Sequence, residues 1–84
     1  MSYFVDISKQ ALKSFENIPE TDYIRIKKSV YSLAENPRPN GCKKLKGRNG
    51  YRIRQRNYRI IYEINDKILT VSVIEIGNRK DIYR

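Results

Sequence analysis

Between Tyr51 and Ile64 the chain alternates, YRIR then QRN then YRIIYEI. Arg52 and Arg54 are two residues apart, so both project from one face of a strand while Tyr51 and Ile53 project from the other. In the run that follows, Tyr58, Ile60, Tyr62 and Ile64 share one face and Arg59, Ile61 and Glu63 share the other. Two alternating runs joined by a connection as short as Gln55–Asn57 form an antiparallel hairpin. Its Tyr/Ile face has to be covered by other elements, and the upstream sequence supplies them.

Tyr3, Val5 and Ile7 alternate as a short strand. Asp6 or Ser8 can then cap a helix that carries Ala11, Leu12 and Phe15 on one face. Pro19 breaks that helix, and Thr21 or Asp22 can start a second. There Tyr23, Ile26, Val30, Leu33 and Ala34 recur at helical spacing as far as about Asn36, where Pro37 ends the pattern. Residues 37–50, PRPNGCKKLKGRNG, read as irregular turns. After the hairpin a third strand, Ile68–Ile76, follows the turn at Asn65, Asp66 and Lys67. The expected fold is α+β in the order β-α-α-β-β-β, an antiparallel sheet with an N-terminal strand and a helical hairpin packed on one face. The other face is left to solvent or a partner. At 84 residues this is one domain, 1–84. A chain of that size buries roughly 60–65% of its unfolded surface, so a site on it is shallow.

Charge narrows the chemistry. Lys and Arg number 18 against 9 Asp and Glu, a net charge of +9. Such a field draws polyanions. From Arg38 to Tyr62 there is no acidic residue, while Arg38, Lys43, Lys44, Lys46, Arg48, Arg52, Arg54, Arg56 and Arg59 all fall in that window. A charge run is often only a solvated face. Here Arg dominates within the strands, and Arg grips phosphate with two donors at once. Arg59 joins Arg52 and Arg54 on one face if Tyr58 and Ile60 face the core. Like charges held that close cost free energy unless an anion sits among them, which marks the arginines as a phosphate site. Tyr51, Tyr58 and Tyr62 are expected to fill the strands.

Histidine is absent and Cys42 is the single cysteine. Serine–histidine and cysteine–histidine mechanisms are excluded, an internal disulfide is impossible, and a metal site is not expected. Cys42 is expected to be a buried structural thiol. Proton carriers would have to be Tyr, Lys or carboxylates. No apolar run approaches the ~20 residues of a membrane span, and the N-terminus does not resemble a signal peptide, so a cytoplasmic location is expected.

KKLKG at 43–47, YRIR at 51–54, YRIIYEI at 58–64, LTVSVIEIG at 69–77 and NRKDIY at 78–83 together resemble the RelE/ParE superfamily of bacterial type II toxins. Within it they are most similar to the RelE-like messenger-RNA endoribonucleases. The resemblance implies cleavage of mRNA in the ribosomal A site by metal-free attack of a ribose 2′-hydroxyl on the adjacent phosphate, with no cofactor. It places the family's basic pair at Arg52 and Arg54, its next-strand arginine at Arg59, its arginine after the last strand at Arg79 and its C-terminal tyrosine at Tyr83. Arg59 and Arg79 would stabilise charge building on the phosphate oxygens. Arg52 and Arg54 would hold the RNA backbone, and Tyr83 would stack on a base or take the 2′ proton. Lys43, Lys44, Lys46, Arg48 and Arg56 are the candidate RNA- and ribosome-binding residues, solubility of the loop being the alternative for the lysines.

Two positions depart from relatives. Arg fills the basic pair where some carry Lys, and Arg does not deprotonate. Asn78 stands where many have His, so no acid is available there. The resemblance also implies a partner, a small acidic antitoxin whose flexible segment folds on binding, besides the 70S ribosome and mRNA. Two other readings use the same fold: a ParE-like inhibitor of DNA gyrase that is not a nuclease, and an RNA- or ribosome-binding module that has lost catalysis.

Overall fold

The computed structural model describes residues 2–78. Five strands and two helices occur in the order β1 (Phe4–Ile7), α1 (Lys9–Phe15), α2 (Glu20–Ser32), β2 (Lys43–Lys44), β3 (Tyr51–Gln55), β4 (Tyr58–Asn65) and β5 (Thr70–Asn78). They form one sheet with strand order β1-β5-β4-β3-β2. The expected α+β architecture holds. The register adds what alternation does not show: β1 pairs parallel to β5, Phe4 with Thr70 through Ile7 with Val73. The chain between them, both helices and the strands β2 to β4, makes the long connection that a parallel pairing requires.

Local chemistry explains the boundaries. Ser8 caps α1, its Oγ accepting the Ala11 N–H at 3.0 Å. The same hydroxyl donates to the Ile74 carbonyl at 2.6 Å. α2 stops at Ser32, short of Asn36, because Leu33, Ala34 and Glu35 close with i−3 bonds to Val30, Tyr31 and Ser32. β5 starts at Thr70, two residues later than expected. The Asn65 Oδ1 accepts the N–H groups of Lys67 at 3.0 Å and Ile68 at 3.2 Å, and this Asx turn runs on through Leu69 at φ 49. Part of the loop expected to be irregular forms β2, because Lys43 and Lys44 pair with Arg52 and Tyr51.

Ala11, Ile26, Val30 and Leu33 from the helices pack on Ile53, Ile60, Tyr62, Val71, Val73 and Ile76 from the sheet. An irregularity opposite Ile61 and Tyr62 makes this possible: Ile61 pairs with Glu75 and Tyr62 with Val73, leaving Ile74 as the extra residue. Without that bulge, parity would turn Val71 and Val73 to the opposite face from Ile76. Ser8 satisfies the carbonyl at the bulge. Tyr62 is buried and donates its hydroxyl to the Pro37 carbonyl at 2.7 Å, tying the start of the basic loop to the core. Burial is the main cause that pushes the Tyr62 phenol well above its ordinary value, with a contribution from Cys42. Cys42 is half-buried against the core. Among the described residues, no helix is long and apolar enough to cross a membrane.

Candidate functional site

The helices cover one face of the sheet, so the residues opposite the core lie on the other. Register lays them out as two rows. Arg54 on β3 pairs with Arg59 on β4, which pairs with Gly77 on β5. One step along, Lys43 on β2 pairs with Arg52, Arg52 with Ile61, and Ile61 with Glu75. Directly opposed side chains on one face have Cβ atoms about 4.5–5.5 Å apart. Arg54 and Arg59 are therefore held side by side, and Arg52 and Lys43 extend the same positive surface.

Arg59 is 9% exposed, the one charged residue among those described that counts as buried, and Ile61 beside it is 5% exposed. Gly77, the partner of Arg59 across β5, contributes no side chain to the row. On the other flank Asn40, Gly41, Lys43, Arg52, Ile53 and Arg54 line an open depression of about 330 Å³. Three arginines and a lysine beside this depression make a positive surface, and guanidiniums are the donors that match phosphate oxygens two at a time.

The other expected residues separate into groups. Arg56 sits exposed at the tip of the β3–β4 hairpin with φ 55, close to the Arg54–Arg59 pair. Lys46 and Arg48 are exposed at the opposite end of β3, in a turn closed by the Leu45 N–H on the Gly50 carbonyl at 2.9 Å. Gly47 takes φ +73 there, a conformation L side chains rarely adopt. Lys44 points away from the arginine rows and lies over the Tyr51 ring at 5.1 Å. Arg79 and Tyr83 lie outside the described residues.

Arg38 leaves the basic set. Its Nη2 donates to the Asp66 Oδ2 at 2.9 Å, and its guanidinium lies 5.4 Å from the centre of the Tyr51 ring. The Tyr3 hydroxyl donates to the same carboxylate at 2.6 Å. Arg38 and then Tyr3 hold the Asp66 carboxyl below its ordinary range. The sequence window made Arg38 one more unneutralised cation; its partner comes from a turn 28 residues away. Tyr51 in turn stacks on Tyr62 at 5.9 Å, so these contacts clamp the basic loop to the core.

Lys43 is the residue whose place sequence reasoning did not find. Only the pairing with Arg52 puts it on the arginine face. Glu75 is the other. The spacing Val71, Val73, Ile76 carries the bulge that assigns its face, a three-residue step inside an alternating run.

Comparison with known proteins agrees along the chain. A family model described as the ParE toxin of the type II toxin-antitoxin system parDE matches residues 5–83. The mRNA interferase toxin RelE of Escherichia coli (strain K12) is 34% identical over 83 residues, covering 95% of this chain and 86% of that protein. The crystal structure of the archaeal RelE–RelB complex from Pyrococcus horikoshii holds a chain that superposes with a TM-score of 0.84 at 30% identity, covering 94% of this chain and 97% of that one. The intact E. coli RelBE toxin–antitoxin complex matches with a TM-score of 0.79 at 32% identity, over 92% of this chain and 96% of that one.

Proposed function

We propose that this chain, which belongs to the RelE/ParE superfamily of type II toxins, is a ribosome-dependent endoribonuclease that cuts mRNA in the A site without a metal and so stops translation. The observation that carries the reading is the co-facial set Arg52, Arg54 and Arg59, with Arg54 directly opposite Arg59. A ribose 2′-oxygen attacks the adjacent phosphorus, the bond to the 5′-oxygen of the next nucleotide breaks, and a 2′,3′-cyclic phosphate and a 5′-hydroxyl result. Negative charge builds on the nonbridging oxygens as this happens. Arg59 is largely removed from water and preorganised for that charge, where a donor is worth most. Arg52, Arg54 and Lys43 grip the flanking backbone. Arg79 completes the charge clamp and Tyr83 stacks on a base or accepts a proton. Lys46, Arg48 and Arg56, together with Lys44, meet ribosomal RNA.

The toxin family implies an antitoxin. The helices offer it a surface: Ile24 and Tyr31 are exposed apolar residues on α2, and with Tyr23, Lys27 and Lys28 they line a shallow groove. An acidic segment that folds as it docks fits apolar contacts rimmed by lysine. Both proteins would work in the cytoplasm.

The test is translation of a defined message on purified ribosomes followed by primer extension, with wild type beside an Arg79→Ala/Tyr83→Ala double variant. Cleavage at A-site codons by wild type, lost in the variant, is the expected result. An intact message with wild type defeats the reading. The family model's parDE description favours one second reading, inhibition of DNA gyrase by binding. A supercoiling assay on the same preparation distinguishes the two.

A further inference from the structure

The proposed reaction needs a group to take the 2′ proton, and the rows of side chains limit the choice. Arg52, Arg54 and Arg59 do not deprotonate at any working pH. Histidine is absent from the chain. Glu75 is a carboxylate on the same face as the arginines. It is paired through Ile61 to Arg52 and set two residues before Gly77, which itself pairs with Arg59. The diagonal from Glu75 to Arg59 spans about 7–8 Å between backbones, within reach of two long side chains around one phosphate. Gly77 adds no side chain of its own between them.

Glu75 is half-buried, and among the described residues its carboxylate makes no hydrogen bond or ion pair. Among the described residues, the charges around it on this face are Arg52 from β3, Arg59 and Glu63 from β4 and Asp6 from β1. Asp6 and Glu63 flank Ser72, farther from Arg59.

We propose that Glu75, rather than Tyr83, is the general base of the cleavage, a role that rests on the nuclease reading above and leaves Tyr83 to stack on a base. Its carboxylate takes the proton of the 2′-hydroxyl as the O2′–P bond forms. The P–O5′ bond breaks, and the departing oxygen takes a proton from water. The resulting hydroxide removes the proton from Glu75, which restores the carboxylate. The bulge between β4 and β5 is what turns Glu75 to the arginine side while Ile76 and Val73 stay in the core.

The experiment is single-turnover cleavage of a defined message on purified ribosomes by wild type, Glu75→Gln, Glu75→Ala and Glu63→Gln, each checked for an unchanged melting temperature. A positioned base contributes about 100-fold or more. Glu75→Gln and Glu75→Ala should each lose about 100-fold in rate, Glu63→Gln should stay near wild type, and added formate should restore part of the rate to Glu75→Ala alone. Wild-type rates in Glu75→Gln, or a loss in Glu75→Ala that formate does not relieve, overturn the assignment while leaving the nuclease reading in place. A wild type that cuts no message overturns both.

Discussion

The two faces of the β3–β4 hairpin are made by the same stretch of chain, yet they do opposite work. On the covered face Ile53, Ile60 and Tyr62 are buried against Ile26, Val30 and Leu33. On the open face Arg54 and Arg59 stand directly opposite each other, a placement in which like charges repel. One register therefore sets both the core and the positive face. A slip of one residue would exchange them. The comparison teaches that the arginines hold their positions because the tyrosines and isoleucines hold theirs.

The strongest way to sharpen the contrast is to open the covered face. Ile60→Ala removes a side chain with no exposed surface and should cost about 2–5 kcal/mol, read as a lower urea midpoint. Next comes Tyr62→Phe, which strips the Pro37 carbonyl of its donor and should cost about 1–3 kcal/mol at neutral pH. The same variant changes the alkaline limb. Because the folded state raises the Tyr62 phenol, its contribution is complete below the ordinary tyrosine value of about 10 and is lost as pH climbs above it. Wild type should lose stability over that range, and Tyr62→Phe should lose less of it in the same titration.

Ser8→Ala acts at the seam between the faces, removing the α1 cap and the donor to the bulge carbonyl. It should cost about 1 kcal/mol by chemical denaturation. Smallest in stability is Arg54→Ala on the open face, expected within about 0.5 kcal/mol of wild type. Under the proposed function its effect falls on RNA binding: the slope of log affinity against log salt should become shallower by about 0.7 for each phosphate that the variant no longer neutralises. A large drop in melting temperature for Arg54→Ala, or a negligible one for Ile60→Ala, would break the division of labour.

Alternation was enough to read the hairpin, its two faces and the grouping of Arg52, Arg54 and Arg59. That signal is local, and the sheet obeys it. What stayed hidden depends on pairings between distant segments. The parallel placement of β1 beside β5 joins residues some 66 positions apart, as the Ser8 to Ile74 bond illustrates. The neutralisation of Arg38 needs Asp66. The face of Lys43 follows from a strand two residues long, too short to carry a periodic pattern. The face of Glu75 follows from a bulge, which reverses parity at one point in β5.

The most direct test of the open face is the rate of ribosome-bound message cleavage, under single turnover, by wild type and Arg59→Ala with matched melting temperatures. Removing a preorganised donor from a developing anion should slow the cut by about 100- to 1,000-fold. Equal rates would contradict the account and return the arginine row to a merely solvated surface.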